Sequence, residues 1–176
     1  MSLRALLVIA FAATVPLANW LIGNAGTECI PNGPCLVPVG FGLMAPSGVL
    51  VIGLALVLRD AVHEIGGAKL ALLAIAIGAL ASWFFAPPML VLASVSAFVL
   101  AELADLLVYA PLRRKNLMAA VMASGVVGSV VDSAVFLWLA FGSLTFIEGQ
   151  ILGKLWMSLA AGVALYARRL KQETPE

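Results

Sequence analysis

The sequence predicts an all-α integral membrane protein: six transmembrane helices in one domain spanning residues 1–176, with both termini cytoplasmic. Three observations carry this. First, 63% of the 176 residues are hydrophobic, only 11% are charged, and mean hydropathy is +1.11, whereas soluble domains carry roughly 25% charge. Second, the apolar residues gather in six segments, about 4–22, 43–58, 69–86, 89–110, 117–141 and 149–167, each near the roughly 20 residues that cross a hydrocarbon core of about 30 Å. Third, the basic residues alternate between connections. Lys and Arg in short loops mark the cytoplasmic face.

The first segment follows Arg4 and ends at Asn19, Trp20 and Ile22. It lacks a small-residue cleavage site and further apolar segments follow, so it reads as a retained span and not a cleaved leader. Near its outer end, Asn19 and Trp20 read equally as an interfacial anchor or as the mouth of a site. The connection from Gly23 to Gly42 is rich in Gly and Pro, contains no Lys or Arg, and holds both cysteines, Cys29 and Cys35. In an oxidising compartment these could close a small disulfide loop over the outer mouth, or they could remain two small loop residues. No further Cys or His lies nearby, which argues against zinc.

The second segment is expected to end at Arg59 and Asp60, with Gly66 and Gly67 turning the chain into the third. His63, the sole histidine, reads as a solvated loop residue beside Glu64. The third and fifth connections have no Lys or Arg, whereas Arg113, Arg114 and Lys115 fill the fourth and Arg168, Arg169 and Lys171 follow the last span. Nine of the ten basic residues thus fall on one side, and the tenth, Lys154, lies inside the sixth segment.

Four ionisable residues sit within spans: Glu102 and Asp105 in the fourth, Asp132 in the fifth and Lys154 in the sixth. Unpaired, they would cost on the order of 10 to 14 kcal/mol together, so they should face one another or a wet cavity. At about 1.5 Å of rise per residue, Lys154 lies roughly 9 Å from the outer end, Asp132 roughly 14 Å and Glu102 roughly 21 Å. The last two spans form an antiparallel hairpin, which puts Lys154 within reach of Asp132. Rows of small and polar residues flank that acid: Ser124, Gly128 and Asp132 on one, and Gly125, Ser129 and Ser133 on the other. Phe98, Glu102, Asp105 and Tyr109 share a face of the fourth span, and Gln150, Lys154 and Ser158 a face of the sixth. With Lys154 satisfying one acid, two carboxylates remain, which favours a donor-rich or cationic ligand or a protonatable site. An isolated Asp–Lys pair could instead merely fix helix register.

Several stretches together resemble the vitamin uptake transporter family, also described as queuosine precursor transporters. They are Ala18-Asn19, Leu58-Arg59-Asp60 followed by Gly66, AELADLLVYAPLR (101–113), SGVVGSVVDSAVFLWLAF (124–141) and GQILGK (149–154). The resemblance implies a fold similar to the substrate-binding subunits of energy-coupling factor transporters. It also implies a bacterial inner-membrane importer of 7-deazaguanine bases, chiefly 7-cyano-7-deazaguanine and 7-aminomethyl-7-deazaguanine. Separately, the first span lacks the Ala-x-x-x-Ala pair that resembling binding subunits use for docking, which argues for a solitary transporter, and a surplus acid could couple binding to protonation. For such a ligand, Asp132 or Glu102 would accept the N1–H and amine edge, with Asp105 and Ser133 close by. Lys154, Gln150 or Asn19 would donate to O6, and Trp20, Phe98 or Phe136 would stack on the ring.

A second reading is a binding subunit for a vitamin or purine-like base served by a separate ATP-driven module, since the chain has no phosphate-binding Gly-x-x-x-x-Gly-Lys-Ser/Thr loop. An enzyme is not expected, because no Ser-His or His-Glu-x-x-His grouping falls in a span. Neither a cofactor nor a nucleic-acid partner is expected, for want of any basic patch. The partners foreseen are the base and the lipid bilayer, with a homodimer left open.

Overall fold

The computed structural model describes residues 2–173. Helix α1 (Leu3–Asn24) starts at Ser2, whose side chain accepts the Ala5 N–H. Pro16 inside it has no N–H to offer the Ala12 carbonyl. At that carbonyl the next helix packs: a Cβ added to Gly78 would lie 2.6 Å from the Ala12 oxygen. The missing hydrogen bond and the close glycine approach therefore belong together.

Where the sequence suggested a loop, residues 28–46 form a three-stranded antiparallel sheet, β1 (Glu28–Cys29), β2 (Cys35–Gly40) and β3 (Leu43–Pro46), in the order β1-β2-β3. Residues 43–46 thus belong to a strand and not to the second apolar segment, whose helix begins only at Val49. Cys29 and Cys35 pair in register across β1 and β2 and are disulfide-bonded. Between β2 and β3, Gly40, Phe41 and Gly42 all have positive φ, which two glycines make accessible. Trp156 Nε1 donates to the Val39 carbonyl at 2.8 Å, tying β2 to the last helix. Beneath the sheet, Val39, Ala45 and Val49 form a small buried cluster.

Helix α2 (Val49–Ser82) contains a single non-helical residue, Gly67, at φ 70° and ψ −178°. Its two ends meet α1 one residue apart: Gly48 lies against the Ala18 carbonyl, and Ser82 accepts a hydrogen bond from Asn19. A straight helix of that length would extend about 50 Å, so the chain reverses at Gly67 and α2 is a helical hairpin. The turn falls where Gly66 and Gly67 predicted it, but the connection shrinks to one residue. Arg59 and Asp60, expected to end a helix, and His63, expected to lie in a loop, all sit within the first limb of the hairpin. Phe11, Val62, Ala71, Ala74 and Ile75 form the core between α1 and the two limbs.

Pro87 and Pro88 open α3 (Pro88–Arg113), a position where the lost N–H costs nothing. Asn116 caps α4 (Leu117–Phe141) by accepting the Ala119 N–H, and Gly142 ends it in the left-handed conformation. The last helix is α5 (Ile147–Glu173). α3 packs chiefly on α4, α1 on α2 and α2 on α5. Ile22, Ala93, Ala97, Phe136 and Leu137 form a second core between α1, α3 and α4. Arg4–Asn24, Pro88–Leu112 and Met122–Phe141 are long and apolar enough to cross a bilayer, and Lys69–Ser82 is apolar but shorter. Large apolar side chains such as Leu80, Leu107, Met122 and Trp138 face outward, as contact with lipid requires.

Candidate functional site

Three hollows lie between the helices and share walls. A small chamber of about 50 Å³, open at its mouth, is bounded by α1, both limbs of α2, α3, α4 and α5. Its apolar walls include Phe11, Val15, Ile52, Ile75, Phe98 and Phe136, and its polar groups are Asn19, Ser94, Asp132 and Gln150. Gly48 and Val49 line it as well. Val49 also packs beneath the sheet, so β2 and β3 cover that end.

Asp132 is held from behind. Lys154 Nζ lies 2.5 Å from Asp132 Oδ2 and 2.6 Å from Ser133 Oγ, with Lys154 only 1% exposed. The hairpin of α4 and α5 therefore makes the contact that its spacing predicted. Lys154 and Ser133 stand outside the chamber's lining; Ser133 holds Lys154, and Lys154 anchors Asp132, which lines the space. Close approach of α2 makes this burial feasible: a Cβ added to Gly53 would lie 3.2 Å from Lys154 Cα.

Asn19 is fixed at both ends of its amide. Its Nδ2 donates to Ser82 Oγ at 3.3 Å, and its Oδ1 accepts from Ser94 Oγ at 2.8 Å. Ser94 was not singled out in the sequence. It lies one turn before Phe98 on the face that continues to Glu102 and Asp105, so the i, i+4 row contained the signal.

Beyond the chamber, a narrow passage shares Leu56, Phe98 and Asp132 with it and adds Arg59, Glu102, Asp105 and Ser129. Next to the passage, and sharing Arg59, Phe98, Glu102 and Asp105 with it, is a wider vestibule of about 560 Å³, open to the outside and lined also by Asp60, His63 and Tyr109. Arg59 is ion-paired with Glu102 and also with Asp60, at 2.8 Å. This changes the charge balance of the interior. The sequence left two acids over because it placed Arg59 in a connection; the helix runs on through Arg59 and turns it onto Glu102. Asp105 alone of the three interior acids then has no ion pair among the described residues.

The chamber thus gathers Asn19, Phe98, Asp132, Phe136 and Gln150 from the expected set, while Glu102 and Asp105 lie in the passage and vestibule. Trp20 is 43% exposed and lines none of the three hollows. Among the described residues, no group of three or more His, Cys, Asp or Glu could hold a metal.

A family model described as "Putative vitamin uptake transporter" matches residues 79–167, just over half of the chain. The chain belongs to the vitamin uptake transporter family. No curated protein and no solved structure matches it. The matched stretch carries the polar faces of α3, α4 and α5, including Ser94, Glu102, Asp132, Gln150 and Lys154, whereas Asn19, Arg59 and the disulfide-bonded sheet precede it. Membership in the vitamin uptake transporter family makes this a membrane transporter.

Proposed function

We propose that this vitamin uptake transporter imports a 7-deazaguanine base, a queuosine precursor, across the bacterial inner membrane, working alone. The observation that carries the reading is Asp132, anchored by Lys154 and lining a chamber that also offers three aromatic rings and two amides. The Asp132 carboxylate accepts the paired N1–H and amine donors of the base, Gln150 or Asn19 donates to O6, and Phe98 or Phe136 covers the ring face. Because Lys154 balances the charge of Asp132, the chamber suits a neutral heterocycle, which favours the 7-cyano base over the 7-aminomethyl cation. In this reading the two limbs of α2 count as separate spans, giving six crossings with both termini cytoplasmic. Protons supply the coupling, and Asp105 and Asp132 are the acids beside the path that could carry them.

The test is a thermal-shift screen of the purified protein against guanine, adenine, vitamins and the two 7-deazaguanine bases, since a ligand that binds the folded state raises its melting temperature. The 7-cyano base should stabilise the parent protein, and Asp132→Asn should abolish the shift. Stabilisation by a vitamin and by none of the purine-like bases would overturn the substrate assignment. Uptake of the base that survives an uncoupler but requires an ATP-driven module would overturn solitary, proton-driven transport.

A further inference from the structure

The three hollows share walls in series, chamber with passage and passage with vestibule, and one ion pair lines the last two. We infer that Arg59 and Glu102, with the Phe98 ring, form the inner gate of the transport path, and that the vestibule is the compartment through which the ligand leaves the chamber. This rests on the reading of the chamber as the ligand site. Phe98 lines all three hollows; Arg59, Glu102 and Asp105 line both passage and vestibule; Asp132 lines both chamber and passage. A molecule leaving the chamber toward the vestibule must pass between α2 and α3 at this level, where the Arg59–Glu102 pair spans the gap.

The pair is suited to opening. Its side chains are 17% and 31% exposed, so each charge can be rehydrated from the vestibule when they separate, avoiding the penalty of a dry unpaired ion. Asp60 already shares the Arg59 guanidinium at 2.8 Å, giving it a partner to retain when Glu102 lets go. Arg59 lies eight residues before the Gly67 reversal, on the half of α2 remote from the Asn19–Ser82 bond that ties its other end to α1. Among the described residues, the opposite end of the chamber has no ion pair of this kind. There the sheet is pinned by the Cys29–Cys35 disulfide and by the Trp156 hydrogen bond to Val39.

The experiment uses one reporter thiol. Both native cysteines are disulfide-bonded, so Val95→Cys, on the chamber wall, provides a single reactive group. A small, charged, membrane-impermeant methanethiosulfonate is applied without ligand to intact cells and to inverted membrane vesicles, and a parallel His63→Cys protein identifies the face onto which the vestibule opens. From that face the parent should label slowly; Glu102→Gln and Arg59→Ala should each label about tenfold faster, and Arg59→Lys, which keeps the charge, within about twofold of the parent. Equal rates in the parent and in Glu102→Gln, or acceleration only from the face where His63→Cys does not react, would overturn the gate. Glu102→Gln changes no side-chain volume, so it decides the matter even if Arg59→Ala does not fold. Because no ligand takes part, the gate can fail while a base still stabilises the protein, and the substrate assignment can fail while the gate stands.

Discussion

Replacing Lys154 with Met tests the anchoring of Asp132 directly. Methionine keeps the length and most of the volume of the lysine stem, so the change removes a charge and little packing. Lys154 is 1% exposed and Asp132 8%, and the Nζ lies 2.5 Å from Oδ2; the carboxylate would lose its cation in a site that water barely reaches. Breaking a buried pair from one side costs about 3–5 kcal/mol. At about 2–4 °C per kcal/mol for a chain of this size, the melting temperature in detergent should fall by about 10 °C. The double variant Asp132→Asn with Lys154→Met removes both charges, so it should regain most of the lost stability while failing to bind the base. Scanning fluorimetry of the parent, both singles and the double, with and without ligand, closes the cycle. If Lys154→Met melted with the parent, or the double were no more stable than Lys154→Met alone, the pair would not be what holds Asp132, and the account of the chamber's charge would be wrong.

Three further outcomes follow from the packing. Asn19→Ala strands the Ser94 hydroxyl and removes the bond to Ser82, at about 1–3 kcal/mol, and should lower both the melting temperature and ligand binding; unchanged values for both would show that the amide is dispensable. Gly149→Ala drives a methyl into the Met44 carbonyl, so β3 must lift from α5 at about 1–3 kcal/mol, and hydrogen exchange should quicken selectively in residues 35–46. Gly67→Ala places a side chain at φ 70° and ψ −178°, a conformation almost confined to glycine, and should cost about 1–3 kcal/mol, read as a lower melting temperature with little change in ligand affinity, because Gly67 lines none of the three hollows.

Much of the site was legible because burying charge in a membrane is so costly that the residue types alone flag it. Asp132, Lys154 and the α4–α5 hairpin could be joined on depth alone. Arg59 could not be placed that way, since an Arg beside an Asp at the end of an apolar run resembles a helix terminus. Its role emerged only when the helix proved to continue to Gly66 and fold back on a single residue. Trp20 shows the converse: its type suited a stacking platform, yet its position on α1 turns it outward.

By itself the sequence determined that this chain is a helical membrane protein and which side chains must find polar company, because hydropathy and the penalty on buried ions act residue by residue. Only the tertiary structure decided who the company is. The sheet made from a Gly- and Pro-rich connection, the reversal at Gly67 and the Arg59–Glu102 pair all depend on segments distant in sequence meeting in space, and no local pattern records which of the available partners lies within reach.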